Sequence, residues 1–345
     1  MLAAVLHRLG EPLALEERVV PEPGPGQVRV RVEACGVCHT DLHAIRGDWH
    51  AKPRLPCTPG HEICGIIDAL GSDVTASRLG ERVGVFWLNR TCGQCEWCSE
   101  GWESLCPNQI NTGFGVPGGF AEALVVDADF AIPIPQTLTP LEAAPILCAG
   151  VSSYKGIRET EAKPGDWIAI VGVGGVGHLA IQYARALGLR PIAIDVWDDA
   201  LALAKSLGAE RTLNARTDAV ARILRKDLGG VPAVLMTASS TEAIRLGCEL
   251  LRRRGTMAII GIPPGDFQVP TFDVVVKRFT IRGSIGGTRQ DVREALDLAA
   301  RHPIRAKVET QPLAAVNDAL ARMEAGSVAG RIVLLPNASE PSTPA

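Results

Sequence analysis

The 345-residue sequence contains no uninterrupted apolar run of about 18 residues, the length that a membrane-spanning helix requires. It has no dense block of lysine and arginine, and its formal net charge is −3. The residues that follow Met1 do not form the apolar core of a secretory signal. These absences argue against a membrane protein and against a nucleic-acid or anionic-membrane partner. We therefore expect a cytoplasmic protein whose partners are small molecules or copies of itself.

Cysteine, by contrast, is plentiful, and its spacing is the most informative feature of the chain. Four of the ten cysteines form a C-x2-C-x2-C-x7-C pattern, made by Cys92, Cys95, Cys98 and Cys106. Four thiolates can complete a tetrahedron around zinc, so the pattern predicts a structural zinc site in a lobe over residues 90–108. An iron–sulfur centre and a disulfide pair are the alternatives, although a chain of this length does not need disulfides to be stable.

A second set of potential ligands is dispersed along the chain: Cys38, His61 and Cys148. Three such ligands would leave one corner of a zinc tetrahedron open for a reacting molecule. Their spacing carries little information by itself, because a solitary cysteine is more often a buried apolar residue than a ligand. The residues alone therefore leave two interpretations open: a second zinc site, or cysteines that only fill the core.

The length predicts two domains, at about 150 residues per domain. Short strands dominate residues 1–147, where residues 28–32 alternate between valine and arginine. From Trp167 onwards strands alternate with helices, and the first strand is a continuous apolar run that suits burial on both faces. This succession predicts a doubly wound parallel sheet over residues 148–283. Residues 284–345, with a last strand near 331–335, are expected to return to the first, mainly β domain.

A glycine-rich segment follows directly on that apolar strand and contains Gly172, Gly174, Gly175, Val176 and Gly177. Its glycines let the backbone turn, approach a pyrophosphate and bring helix and strand close together. Asp195, which ends the next predicted strand, can bind the ribose hydroxyls of NAD and repel the 2′-phosphate of NADP. Because residues 196–199 include no lysine or arginine, the sequence favours NAD. The alternative is a glycine-rich turn that binds nothing.

Taken together and in this order, these motifs resemble the zinc-dependent medium-chain alcohol dehydrogenases, especially their bacterial and yeast tetrameric branch. The resemblance covers nearly the whole chain and includes residues 21–26, 35–43, 60–62, 92–106, 172–177 and 330–331. It implies a GroES-like catalytic domain beside a Rossmann-type domain, a homotetramer and two zinc ions per chain. The implied reaction is the reversible oxidation of primary alcohols to aldehydes with NAD.

The resemblance also assigns the metal ligands. Cys38, His61 and Cys148 would bind the catalytic zinc. Glu62 would lie close enough to enter the coordination sphere of the zinc while water and substrate exchange. Asp41 would accept a hydrogen bond from the far nitrogen of His61, because a metal-bound imidazole needs its other N–H oriented. Cys92, Cys95, Cys98 and Cys106 would hold the structural zinc.

Further roles follow for residues near the first ligand. Thr40 resembles the hydroxyl that takes the proton of an alcohol made acidic by zinc, and passes it through the nicotinamide ribose to His43. A solvated histidine without a role is the alternative for His43. His39 resembles a contact to the pyrophosphate, and Arg331 a late cationic contact to the cofactor.

Trp49 and Trp87 match aromatic positions that narrow the substrate pocket in the yeast-like branch, which favours short, unbranched primary alcohols. Ile285 is expected to line the same cleft, and tryptophans that merely fill the core are the alternative. Ala200 departs from the family, which often has a lysine there against the adenine ribose. Rival functions are a dehydrogenase of polyols, aryl alcohols or an aldehyde adduct, and a non-catalytic zinc protein that binds the cofactor.

Overall fold

The computed structural model describes residues 1–263 and 265–336, and it divides into two compact units. The first unit comprises Met1–Cys148, Gly287–Ala300 and the chain from Lys307 onwards, and the second comprises Ala149–Gly286 and Arg301–Ala306. The division after Cys148 falls next to the predicted boundary between residues 147 and 148. Residues 337–345 of the predicted first domain lie outside the described residues.

The first unit begins with nine strands, most of them short. They are β1 (Leu2–Val5), β2 (Ala14–Glu17), β3 (Gln27–Gly36), β4 (Glu62–Leu70), β5 (Arg82–Val85), β6 (Leu88–Arg90), β7 (Ile110–Asn111), β8 (Ala123–Asp127) and β9 (Ile132–Pro133). Three helices lie among or after them: α1 (His39–Arg46), α2 (Glu96–Ser99) and α3 (Pro140–Ala143).

The second unit alternates helices and strands. In chain order these are α4 (Ala149–Glu159), β10 (Trp167–Val171), α5 (Gly177–Ala186), β11 (Arg190–Asp195), α6 (Asp198–Ser206), β12 (Arg211–Asn214), α7 (Val220–Leu228), β13 (Val231–Met236), α8 (Thr241–Leu250), β14 (Leu251–Ile259), α9 (Thr271–Lys277) and β15 (Thr280–Gly283). The last elements are α10 (Arg289–Arg301), β16 (Val308–Pro312), α11 (Val316–Glu324) and β17 (Arg331–Leu335).

The main sheet of the first unit has seven strands in the order β16-β17-β3-β4-β5-β9, with β8 also paired to β3. The pairing is antiparallel except between β16 and β17. In β3 the alternation predicted from the sequence is present, because Val28, Val30 and Val32 are fully buried while the intervening arginines are not. This mainly β architecture agrees with the predicted GroES-like domain.

The sheet of the second unit has six parallel strands in the order β12-β11-β10-β13-β14-β15. This is the order of a doubly wound dinucleotide-binding fold. The central strand β10 is buried apart from its first residue, as its continuous apolar sequence predicts. The predicted fold class, a Rossmann-type sheet domain plus a mainly β domain, is confirmed.

In the described residues no helix combines the length and the apolar character that crossing a membrane requires.

Candidate metal and cofactor sites

The start of α1 places Cys38 and Asp41 side by side. Cys38 caps the helix, and its sulfur accepts a hydrogen bond from the Thr40 amide at 3.5 Å. Asp41, three residues later, accepts from the Cys38 amide at 2.9 Å, which completes a reciprocal capping box. The C-x-x-D spacing therefore fixes the thiol and the carboxylate by local backbone geometry.

His61 is buried beside that carboxylate. Its Nδ1 lies 3.2 Å from Oδ1 of Asp41, which also accepts from the Gly60 amide at 3.1 Å. When Nδ1 donates to Asp41, Nε2 keeps its lone pair for a metal. Burial by itself lowers the pKa of His61, but Asp41 and Cys38 outweigh burial and raise the pKa well above its usual range.

Cys148 follows a 3₁₀ helix over Ala144–Leu147, and its sulfur lies 3.9 Å from the Cys38 sulfur. Zinc–sulfur bonds of about 2.3 Å in a tetrahedron place two sulfurs about 3.8 Å apart, whereas a disulfide requires about 2.05 Å. One ligand atom from each of Cys38, His61, Glu62 and Cys148 lies within 4.8 Å of all the others. The donors therefore have the identity and the spacing that zinc requires.

Glu62 opens β4 and is fully buried. One of its carboxylate oxygens pairs with Arg331, the first residue of β17. In the described part of the chain, the other oxygen has no hydrogen-bond partner. Burial raises the pKa of Glu62 to about 7, and the Arg331 guanidinium opposes that rise. A buried carboxylate with one unused oxygen beside two thiols and an imidazole fits a metal site.

Thr40 and His43 both lie on α1. Thr40 is half-buried, and Nδ1 of His43 lies 2.7 Å from a carboxylate oxygen of Asp48. The His43 ring is 5.6 Å from that of Trp49. His39, the first residue of the helix, has an exposed side chain. The structure thus places these predicted residues on one helix, and it adds Asp48, which sequence reasoning did not identify.

Three aromatic side chains form a group that contacts the imidazole of the metal site through Trp87. The Trp87 ring meets His61 edge-on at 5.3 Å between centroids and Trp49 at 6.4 Å. Phe114 contacts both tryptophans, at 5.8 and 6.0 Å, and was not expected from the sequence. Ile285 belongs to the other unit and has 55% of its surface exposed.

The four-cysteine lobe brings its sulfurs together within a short segment. Cys95 caps α2 and lies 3.5 Å from Cys98 between sulfurs, and Cys106 lies 3.6 Å from Cys92. All four sulfurs are within 4.8 Å of one another. Hydrogen bonds from the backbone at Gln94 and Cys95 lower the pKa of Cys92 to about 6. Four thiols at these spacings, one of them readily ionised, match a closed zinc site.

The glycine loop joins β10 to α5. Gly172 has a φ of 97°, a conformation that favours glycine, and a Cβ at Gly177 would lie 1.9 Å from the Gly172 carbonyl oxygen. A Cβ at Gly174 would meet no atom of the described residues within 4 Å. Gly175 and Val176 complete the turn before α5. The loop therefore offers close packing at its ends and open space at its centre, next to a helix N-terminus, which suits a phosphate.

Asp195 ends β11 beside this loop. One carboxylate oxygen accepts from the Val173 amide at 2.6 Å, and the other from the Val196 and Trp197 amides at 2.7 and 3.0 Å. These bonds fix the carboxylate at the carboxyl edge of the sheet. That edge is where doubly wound folds bind nucleotides.

Comparison with known proteins gives the family. Two family models match the chain, an alcohol dehydrogenase GroES-like domain over residues 24–136 and a zinc-binding dehydrogenase over residues 175–301. An alcohol dehydrogenase from Moraxella sp. (strain TAE123) is 49% identical over 97% of this chain and 99% of its own length.

Solved structures of similar proteins support the same family. An alcohol dehydrogenase from Aeropyrum pernix is 33% identical, with 97% of this chain and 100% of that chain covered and a TM-score of 0.88. A zinc-binding dehydrogenase from Sinorhizobium meliloti 1021, bound to NADP, is 29% identical, with 97% and 99% covered and a TM-score of 0.88. On the strength of the near half-identity over almost its full length, this chain belongs to the zinc-dependent medium-chain alcohol dehydrogenase family.

Proposed function

We propose that this alcohol dehydrogenase oxidises short primary alcohols to aldehydes, reversibly, and that NAD accepts the hydride. The observation that carries the proposal is the convergence of Cys38, His61, Cys148 and Glu62, whose ligand atoms lie within 4.8 Å of one another. The indole of Trp87 stands next to the imidazole of this group. A metal site with an apolar wall is suited to a small alcohol.

Cys38, His61 and Cys148 would hold the catalytic zinc, with Glu62 as the exchangeable fourth donor. A zinc ion there would supply Lewis acidity, which lowers the pKa of a bound hydroxyl from about 16 toward 7. Asp41 keeps the imidazole oriented, and Arg331 partly neutralises the buried Glu62. The four sulfurs of the lobe would hold a second, structural zinc.

Thr40 would accept the proton of the alcohol, and His43, oriented by Asp48, would receive it at the end of the relay. Replacing Thr40 by valine removes the hydroxyl with little change in volume. We expect Thr40→Val to lose at least about a hundredfold in kcat and to bind NAD normally, while Thr40→Ser retains most turnover. Turnover in the valine variant equal to that of the wild type would show that the hydroxyl is not in the relay.

The preference for NAD rests on Asp195, whose carboxylate is fixed by three backbone amides. It would accept hydrogen bonds from the ribose diol and repel a 2′-phosphate. We expect at least about tenfold higher catalytic efficiency with NAD than with NADP. Equal efficiencies would refute this role, and the comparison is needed because one solved relative is bound to NADP.

Primary alcohols are favoured because Trp49, Trp87 and Phe114 form an aromatic group against the imidazole of the metal site. Assays with ethanol, butanol, benzyl alcohol and sorbitol, together with zinc content per chain, test the substrate class. Two zinc ions and a preference for ethanol and butanol would support the proposal. A preference for sorbitol or benzyl alcohol would favour the rival dehydrogenases, and nucleotide binding without NADH formation would favour a non-catalytic protein.

We further propose a cytoplasmic homotetramer, which rests on the resemblance to the bacterial and yeast branch. Light scattering of the purified, zinc-loaded protein would give the molar mass. A mass near that of one chain, 36.5 kDa, would refute the tetramer.

A further inference from the structure

A tryptophan stacked on an arginine stands at the carboxyl edge of the parallel sheet. Trp197 follows β11, and 60% of its surface is exposed. The Arg216 guanidinium lies 4.3 Å from the centroid of the indole. Tryptophan is enriched at binding surfaces, where one end of the side chain is apolar and the other is in contact with water. An exposed tryptophan–arginine stack at the edge of the sheet where ligands bind is therefore a candidate binding feature.

The pairing of strands explains why the two residues meet. β12 runs parallel to β11, with Asn214 opposite Asp195, so the turns that follow the two strands lie side by side. Asn214 ties both turns together, since its side chain accepts from the Arg216 amide at 2.9 Å and donates to Asp198 at 2.7 Å. Arg216 is therefore held beside the turn that carries Trp197.

The same turn carries the carboxylate of the proposed ribose site. An oxygen of Asp195 accepts from the Trp197 amide at 3.0 Å. Between residues 195 and 219 the other basic residues are Lys205, in the last turn of α6, and Arg211, which begins β12 at the opposite edge of the sheet. Arg216 is thus the cation that this stretch brings to the carboxyl edge, in a chain with alanine at position 200.

We propose that Arg216, supported by Trp197, is the residue that binds a phosphate on the adenosine 2′-oxygen when Asp195 does not exclude it. The inference rests on the proposed dinucleotide site and extends it to the determinants of cofactor choice. A guanidinium presents paired donors that match a phosphate, and stacking on an indole holds its plane in place. The carboxylate of Asp195 opposes the same phosphate by charge repulsion. The chain therefore contains both determinants, and the carboxylate dominates.

A second stack of the same kind provides a matched control. Trp167, at the start of β10, has Arg190 at 3.8 Å and Arg211 at 5.6 Å from its ring centroid. Arg190 also bonds the carboxylate of Glu210 at 2.8 to 3.2 Å. This stack lies at the amino ends of the strands, away from the edge where nucleotides bind. An arginine removed here tests the general effect of losing a stacked cation from this sheet.

The test compares 5′-AMP with 2′,5′-ADP, which is 5′-AMP with a 2′-phosphate added, by isothermal titration calorimetry on the zinc-loaded full chain. We expect Asp195→Ser to improve the affinity for 2′,5′-ADP relative to 5′-AMP on the order of tenfold. Adding Arg216→Ala to that variant should remove the gain, and adding Arg190→Ala should leave it. The ratio of kcat/KM for NADP to kcat/KM for NAD should rise in Asp195→Ser, fall again when Arg216→Ala is added, and stay raised when Arg190→Ala is added. Adding Trp197→Ala should reduce the gain in part, because Arg216 would keep its charge and lose its support.

A gain that survives Arg216→Ala in the Asp195→Ser background would overturn the inference while leaving the dinucleotide site intact. If the wild-type chain binds neither nucleotide, the proposed function fails and the inference fails with it. Thermal melting of each variant separates these outcomes from unfolding. Arg216 and Trp197 are both exposed, so we expect little change in melting temperature.

Discussion

The two cysteine clusters have similar ligand chemistry, but the chain assembles them in different ways. The lobe takes its four sulfurs from one short segment, whereas the sulfurs of Cys38 and Cys148 come from positions 110 residues apart. A local set can close around a metal with few other contacts, while a dispersed set exists only after the unit has folded. In the lobe, metal binding would order the chain. In the other cluster, the folded chain would position the ligands before the metal binds.

The dispersed site also differs from the lobe in containing buried charged groups. His61 and Glu62 are almost completely buried, whereas Cys38 and Cys148 are half-buried, as are three of the four lobe cysteines. Buried charged groups need partners, and the dispersed site supplies them through Asp41 and Arg331. The dispersed site should therefore depend on its neighbours as well as on its ligands, and the lobe chiefly on its ligands.

The largest effect is expected from Cys148→Ser. Loss of this sulfur should remove the catalytic zinc, so that zinc content falls from two ions per chain to one and kcat falls by at least about a thousandfold. Elemental analysis and an ethanol–NAD assay measure the two quantities. Cys35→Ala is the matched control, because Cys35 is buried in the same C-x-x-C as Cys38 and its sulfur is directed to the Gly36 carbonyl at 3.6 Å. Retention of both zinc ions in the serine variant would contradict the assignment.

A smaller effect should follow from Asp41→Asn. The amide keeps the shape of the side chain and loses the negative charge that orients His61. We expect the affinity of the catalytic site for zinc to fall by about 10- to 100-fold, while the lobe keeps its metal. Competition with a chelator, followed by metal analysis, measures this. Asp48→Asn is the control, because Asp48 bonds His43 and no predicted ligand, so zinc affinity should not change.

Zinc binding at the dispersed site should also depend on pH. The pKa of His61 is raised, so without zinc the imidazole carries a proton that the metal must displace. Zinc affinity at this site should therefore fall as pH falls, by about tenfold per pH unit for each proton released. Calorimetry of zinc binding to Cys106→Ser between pH 6 and 8, in buffers of different ionisation enthalpy, would count the protons. Cys148, whose pKa is also raised, must lose its thiol proton to bind zinc, so release of fewer than two protons would contradict the protonated state of His61.

The contrast between local and dispersed sites also explains what the sequence could predict. The four-cysteine spacing and the glycine loop are local, so residue type and spacing sufficed to identify them. For Cys38, His61 and Cys148 the spacing was weak, and the family resemblance supplied the interpretation. The fold class followed from the strand and helix pattern and is confirmed.

Features that depend on tertiary pairing were missed. The strand β12 has the sequence Arg-Thr-Leu-Asn and lacks the apolar run that marks its neighbours, so the turn that carries Arg216 could not be placed. Phe114 lies in a glycine-rich loop and is aromatic without any periodic pattern. The ion pair of Glu62 and Arg331 joins residues 269 positions apart, a separation at which sequence spacing carries no signal.

The smallest effect on catalysis is expected from Cys106→Ser, although stability should suffer. The lobe is fastened to α10 independently of its sulfurs, because Glu103 accepts from the Arg289 amide at 3.1 Å and from its Nε at 2.8 Å. Loss of the structural zinc should therefore lower the melting temperature, while kcat per occupied catalytic site changes by less than about threefold, as expected for separate sites. Adding Glu103→Gln weakens this attachment, so the double variant should melt lower still. A loss of kcat in Cys106→Ser as large as that in Cys148→Ser would contradict the independence of the two sites. It would mean that the lobe takes part in forming the catalytic site.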